Sequence, residues 1–459
     1  MRERVAIVGT GVAGMGAAWQ LRHATDITLI ERDARPGGHT NTITIDEEGT
    51  PVPIDTGFIV FNHATYPNLV ELFRELGVET KPAEMSFSVR HEPADLEYNG
   101  MGLDKLFAQR RNILRPRFHA LVLTIMRFFR IARKALENPS SRECTVAEFV
   151  ERHRLGRDFL EFYLVPMSSA VWSTEPQRML DFPALSLIRF FQNHGFLGVT
   201  THHPWFTVSG GSQTYRDKIL AAFDPVRLPA KVVAVSEGEG SAKVRLEDGA
   251  ELEFDRVIIA AHADEALAML TAPDPDQQRL LAAFRYQQNT ATLHTDSSVM
   301  PRARRAWAAW NYRVERQPGG ESSATTHYWM NALQGVSKKR DYFVSINGAE
   351  SIPDSAVLYR TVYHHPVYNL EAMRAQMVEK AELARGLIEP VPRSVLLACL
   401  VNTMPADLSL LEFEMKSEEI KSTRQTATQA KDAAKARRMT KATAPPVMNT
   451  SKAAPMVCV

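Results

Sequence analysis

Cysteine is scarce: the 459 residues contain three, Cys144, Cys399 and Cys458, far apart in the chain. That spacing excludes a disulfide framework and a paired-cysteine metal site, and it suits a reducing, cytoplasmic setting. An excess of either charge is also missing. Fifty-four basic residues face 53 acidic ones, for a net charge of +1, so nothing points to a nucleic-acid or polyacidic partner. No stretch reaches the roughly 18 uncharged apolar residues of a membrane span. The richest, 118–131, is interrupted by Arg127 and Arg130. The N-terminal apolar run is too short for a secretory signal and ends in glycines. Nucleophile motifs, metal signatures and internal repeats are absent as well. What remains is a globular composition, 44% hydrophobic, with length for two or three domains at about 150 residues each.

The chain opens in α/β language. Residues 4–9 (RVAIVG) read as a buried parallel strand, 11–24 as a small-residue helix and 26–31 (DITLIE) as a second buried strand. Together they form a βαβ unit of about thirty residues. Gly9, Gly11 and Gly14 fall at its first turn, where a tight turn, a diphosphate approaching the backbone and close helix packing each require glycine. The helix N-terminus adds unpaired N–H groups and a positive dipole end. Glu31 ends the second strand, where a carboxylate accepts from both ribose hydroxyls. A second glycine pair, Gly37-Gly38, follows with His39. Plain dinucleotide binding does not need that turn, whereas a larger ligand whose flavin runs over the next loop does.

Downstream, 65–77 reads as a helix with Pro67 in its first turn and Gly77 at its end. From about 80 to 204 the texture is helical, aromatic and arginine-rich, with few strand signals. Residues 229–261 return to short antiparallel strands, a buried strand (DRVIIAA) and a helix, and 285–370 mix strands with aromatics.

With these residues in hand, the chain resembles the FAD-dependent amine oxidase and phytoene desaturase superfamily. The resemblance rests on Gly9, Gly11, Gly14, Glu31, Arg35, Gly37 and Gly38 and extends over 1 to about 376. It implies non-covalent FAD, with Glu31 on the adenosine ribose and Arg35 to His39 along the diphosphate. It further implies that Thr56 and Gly57 (IDTGF) pass near the flavin, and that the backbone of Val232 and Val233 reads the adenine. DTGFIVFN, PMSSAVWS, GGSQTY and YHHPVY look like a bacterial flavoprotein subgroup often associated with fatty-acid modification. The expected architecture is a doubly wound Rossmann-like domain (1–78 and 205–283) carrying an inserted mixed α+β substrate domain (79–204 and 284–376).

After about residue 376 the family pattern stops. The glycine-rich segment that returns to the flavin in relatives has no match, Gly386 being the only glycine in 377–419. Residues 420–459, with eight Lys/Arg, one Asp and no aromatic, read as a disordered basic tail.

No catalytic residue stands out, because the cofactor carries the hard step. His202-His203 and His364-His365 are poor metal clamps, since neighbours on a strand face opposite ways. One member of each pair is a candidate to line the cavity. Trp172, Tyr328 and Trp329 read first as core. The helix at 115–134 reads as a substrate-domain helix with snorkelling arginines or, more sharply, as a membrane-surface helix. The reading is an FAD-dependent oxidoreductase acting on a hydrophobic substrate, acyl lipid ahead of amine. The alternatives are a non-catalytic relative that has lost tight FAD binding, and an NAD-dependent dehydrogenase.

Overall fold

The computed structural model describes residues 2–137, 144–173, 175–199, 201–224, 226–316 and 322–367. The expectations for 377–419 and 420–459 lie outside these residues.

The opening βαβ unit forms as the apolar runs demand. Strand β1 (Glu3–Val8) leads into helix α1 (Val12–Leu21) and then strand β2 (Thr25–Ile30). These strands pair in parallel, with Val5, Ile7, Leu29 and Ile30 buried. The strand Arg256–Ile259 pairs in parallel on the far side of β1, and a two-residue strand, Val226–Arg227, extends the sheet beyond β2. The chain thus leaves this sheet after residue 30 and completes it some two hundred residues later. Three antiparallel strands, Val232–Glu237, Ala242–Leu246 and Glu251–Phe254, pack as a small separate sheet beside it.

A hairpin follows β2, with β3 (Thr42–Glu47) antiparallel to β4 (Thr50–Asp55). The helix Pro67–Leu76 starts at its proline and stops at Gly77, whose φ of 59° gives the left-handed cap that a helix C-terminus favours.

The region 80–204 corrects one expectation. It contains strands at Thr80–Ala83, Phe87–His91 and Leu96–Asn99. These were hard to see because each is only four or five residues long. The latter two also bury Ser88, Arg90, His91, Glu97 and Asn99, so no apolar alternation marks them. Both join a seven-stranded sheet whose other members run from 285 to 367. Its order is Val357–Val367, Arg285–His294, Phe343–Ile346, Ser322–Trp329, Trp310–Arg316, Phe87–His91 and Leu96–Asn99. Helices from 116 to 193 pack around an aromatic core that includes Phe128, Phe149, Phe159 and Phe191. The longest, Pro116–Leu136, buries Phe118, Leu121, Phe128, Phe129 and Ala132 along one face.

Candidate functional site

Thr10, between the first two glycines, is the joint of the site. Its backbone N–H and its hydroxyl both donate to Glu31 Oε2, at 2.9 and 2.5 Å. The same hydroxyl accepts from the Gly37 N–H at 3.1 Å, which ties the second glycine loop to the first. Glu31 Oε1 takes the Asp33 N–H at 3.0 Å. On the backbone side Glu31 is clasped by Arg227 O (2.9 Å) and the Ala230 N–H (2.6 Å). The strand Val232–Glu237 starts two residues further on. Its ladder shifts register between Val232 and Ala234, leaving Val233 as the extra residue of a bulge.

The glycines separate into packing and non-packing positions. A Cβ at Gly14 would lie 1.9 Å from Gly9 O and 3.2 Å from Ala260 Cβ, so only glycine lets α1 sit this close to the turn. Gly11 differs: its φ is −59°, and a Cβ there meets nothing within 4 Å. Packing does not explain that glycine. A Cβ at Gly38 would come 3.4 Å from Gly11 Cα, so the two loops face each other across this space. The first turn of α1 has no side-chain cap and no acidic residue, so its N–H groups and positive end stay uncompensated. Arg35 closes the second loop by donating to the carbonyls of Pro36 (3.3 Å), Gly38 (2.8 Å) and Thr40 (3.1 Å).

The loop after β4 is stitched to the same place. Thr56 N–H donates to Asn41 O and Phe58 N–H to His39 O, both at 2.9 Å. A Cβ at Gly57 would stand 2.2 Å from His39 O, so the approach depends on glycine. Asp55, just before, is buried and saturated. It accepts from Thr42 Oγ1 (2.6 Å), the backbone and hydroxyl of Ser212 (2.9 and 2.8 Å) and Gln334 Nε2 (2.7 Å). Burial pushes its pKa up against the pull of these donors.

Above this loop lies a cluster of neutral polar rings. Tyr363 Oη meets Thr56 Oγ1 at 2.7 Å and accepts from Asn41 Nδ2 at 2.9 Å. His39 stacks on Tyr363 with ring centroids 4.6 Å apart and lies 5.4 Å from the ring of His365. Asn289 donates to His365 Nδ1 at 2.7 Å. Burial first, then the neighbouring histidines, hold His39 well below its usual pKa, and burial drives His365 down to about 4. His39 Nε2 is buried with no hydrogen-bond partner. Of the expected pair, His365 enters the cluster, while His364 has its ring 6.1 Å from that of His262, itself stacked on Tyr286 at 4.2 Å.

The other candidates sit elsewhere. His203 Nε2 bonds Asn193 O at 2.9 Å, and the His202 ring lies 5.9 Å from that of Phe196. Trp172 packs between Phe182 and Phe190, at 4.9 and 4.6 Å. Tyr328 meets Trp310 at 4.9 Å and Trp329 meets Trp307 at 5.4 Å. Among the described residues no group of three His, Cys, Asp or Glu is placed to hold a metal ion. Sequence reading missed Thr10, Asn41 and Asn289. A polar residue inside the glycine turn was the available signal for Thr10; the two asparagines carry none.

Residues 12–331 match the model of the flavin-containing amine oxidoreductase family, and the chain belongs to it. The family is one of flavin-containing oxidoreductases. Among characterised proteins, protoporphyrinogen oxidase 2, chloroplastic/mitochondrial, of Arabidopsis thaliana is 23% identical over 271 residues, 52% of this chain and 51% of that protein. The chain thus spans about half the length of the curated relative it matches. Cyclohexylamine oxidase from Brevibacterium oxydans IH-35A superposes with a TM-score of 0.58 at 15% identity, over 82% of this chain and 90% of that one. A CLA-producing fatty acid isomerase from P. acnes gives 0.57 at 15%, over 83% and 90%. At such identities these similarities establish the fold.

The residues present fit FAD. The open face at Gly11, the uncompensated helix end and the unpartnered His39 Nε2 are what a diphosphate and its attached ring would occupy.

Proposed function

We propose that this protein oxidises or desaturates a hydrophobic, uncharged substrate, an acyl lipid ahead of an amine, using non-covalently held FAD. Bound there, the flavin supplies the hydride acceptor. The chain's own residues hold and shield it. Gly9, Gly11, Gly14 and the α1 N-terminus take the diphosphate, Glu31 the ribose, and the backbone of Val232 and Val233 the adenine. Arg35 props the loop of Gly37, Gly38 and His39, while Thr56 and Gly57 hold the next loop against it, where it would help to hold the flavin.

The observation that carries the substrate preference is the charge state of the cluster around Tyr363. His39 and His365 are held neutral by burial, and Asn41, Thr56 and Asn289 carry no charge. Asp55, the carboxylate adjoining Thr56, already accepts from Thr42, Ser212 and Gln334. A protonated amine brought here would lose water without gaining an anionic partner, which is costly. An acyl chain faces no such penalty.

The test is an absorption spectrum of the purified protein together with Gly11→Ala. The wild type should show flavin bands near roughly 370 and 450 nm, set by the cofactor. Gly11→Ala should fold as well as the wild type without cofactor, since its methyl meets no protein atom, yet retain at least about tenfold less flavin. A colourless protein that added FAD fails to stabilise thermally would overturn the reading in favour of a non-catalytic relative. Co-purifying NADH would instead favour a dehydrogenase.

A further inference from the structure

Six of the eleven exposed large apolar side chains among the described residues lie in one stretch of the chain. Among the described residues, Met101, Leu103, Ile113, Leu114, Leu123 and Met126 are exposed and fall within 26 consecutive positions (101–126), with Leu114 at 86%, Leu103 at 75% and Leu123 at 70%. Isolated exposed leucines need no explanation, but a contiguous set does.

Contacts join these residues into one surface. The short turn Arg110–Leu114 precedes the helix Pro116–Leu136 directly, and His119 Nε2 bonds Ile113 O at 2.8 Å. Phe107 packs on Phe118 and His119, at 5.6 and 5.7 Å, so the helix Gly102–Leu106 is held against the same end. At 3.6 residues per turn, positions 116, 119, 120, 123, 126, 127, 130 and 134 share one side of the long helix. All are exposed, while Phe118, Leu121, Phe128, Phe129 and Ala132 occupy the opposite side.

Charge identifies the partner. From 110 to 134 there are eight basic residues and no acidic one. Four are matched by carboxylates from neighbouring elements: Arg110 by Asp104, Arg111 and Arg115 by Asp95, and Arg117 by Asp158. The other four face no carboxylate among the described residues. Arg127 donates to the carbonyls of His153 and Arg154 and Arg133 to that of Leu197, while Arg130 and Lys134 have no ion pair among the described residues. A protein partner with an apolar face would not require this arrangement. An anionic bilayer does, because leucine and methionine enter the acyl boundary while arginine and lysine stay level with the headgroups.

We propose that the face formed by 101–134 is a docking surface for anionic lipid bilayers. The helix lies flat on the membrane, with Leu114, Leu123 and Met126 inserted and Arg127, Arg130 and Lys134 at the phosphate level. No helix of the described residues is long and apolar enough to cross a membrane, so this is peripheral attachment. It rests on surface geometry alone and stands whether or not the flavin reading holds.

The experiment is co-sedimentation of the full chain with phosphatidylcholine vesicles, with and without one third phosphatidylglycerol. Binding should require the anionic lipid and weaken with salt. Arg130→Gln with Lys134→Gln should weaken it by about fivefold per charge removed. Leu114→Ser with Leu123→Ser should weaken it roughly tenfold or more, with melting temperature and near-UV circular dichroism unchanged because both leucines are exposed. Absence of binding to anionic vesicles at low salt would overturn the proposal. So would binding that ignores the leucine pair, which would belong to the basic stretch after 420 instead. A leucine-pair variant that converts a dimer into a monomer, with no vesicle binding by either form, would make the face a self-association surface and likewise overturn it.

Discussion

The two largest sheets among the described residues solve burial in opposite ways. The four-stranded parallel sheet buries aliphatic side chains: Val5, Ala6, Ile7 and Val8 on β1, Ile27, Leu29 and Ile30 on β2, and Val257 and Ile259 beyond them. The seven-stranded sheet buries Ser88, Asn289, Thr292, His294, Asn311, Thr325, Thr326, His327, Ser345 and His365 as well. Three of them, His294, Ser345 and His327, form a chain with Thr325. Asp296 N–H donates to His294 Nδ1 (3.2 Å), so the His294 proton sits on Nε2 and goes to Ser345 Oγ at 2.6 Å. Ser345 then donates to His327 Nδ1 (2.6 Å), and His327 Nε2 donates to Thr325 Oγ1 (2.8 Å). The first sheet is held by close approach, and the second by a hydrogen-bond chain that works only while its histidines are neutral. Each is fragile in its own way.

The largest effect should come from violating close approach. Gly14→Ala would put a methyl 1.9 Å from Gly9 O, an overlap that rotamer change cannot relieve because the obstacle is backbone. We expect a loss of about 4 kcal/mol or more, or failure to fold, measured by denaturant titration. A variant of near wild-type stability would show that α1 slides freely on the turn, which would end the contrast between the sheets.

This difference also explains what could be read beforehand. The βαβ unit, the helix at Pro67–Leu76 and the strand Arg256–Ile259 announce themselves through apolar runs, a proline and glycines, all local signals. Gly9, Gly11, Gly14 and Glu31 were legible for the same reason. The strands at Phe87–His91 and Leu96–Asn99 were not. Their buried Arg90 donates through Nη1 to the carbonyls of Ser298 and Met300, and Glu97 receives the N–H groups of Arg302 and Ala303. Partners some two hundred residues away leave no local trace. The Tyr363 cluster was half legible: YHHPVY stood out as a motif, but nothing near it names Asn41 or Thr56 as the groups its tyrosine would meet.

Acid should weaken the second sheet before the first, whose strands β1 and β2 carry no histidine. Burial drives His294 and His365 down to about 4, and holds His327 well below its usual value. In the unfolded chain a histidine titrates near 6.5. Between 6.5 and 4 the unfolded state therefore binds protons that the folded state refuses. The stabilising contribution is complete above pH 6.5 and shrinks as pH falls through that interval, by on the order of 1–2 kcal/mol per histidine at pH 5. Melting temperature should drop steadily from pH 7 to pH 5, and hydrogen exchange at pH 5 should accelerate first in 285–367. Equal acceleration in β1 and β2 would mean that the two sheets fail together.

The smallest effect has the opposite sign and limits how far close approach extends. Gly16 lies two residues from Gly14 on the same helix, yet a Cβ there meets nothing within 4 Å, and it occupies a helix-interior position. Glycine costs a helix interior about 0.5–1 kcal/mol relative to alanine through backbone entropy. Gly16→Ala should therefore stabilise the protein by about that amount, a shift of roughly 1–4 °C for a unit of this size, with flavin content unchanged. Two glycines two residues apart would then respond in opposite directions, because one faces the Gly9 carbonyl and the other faces open space. A destabilised Gly16→Ala would place a neighbour against that side of α1 and extend the tight packing of the first sheet along the helix.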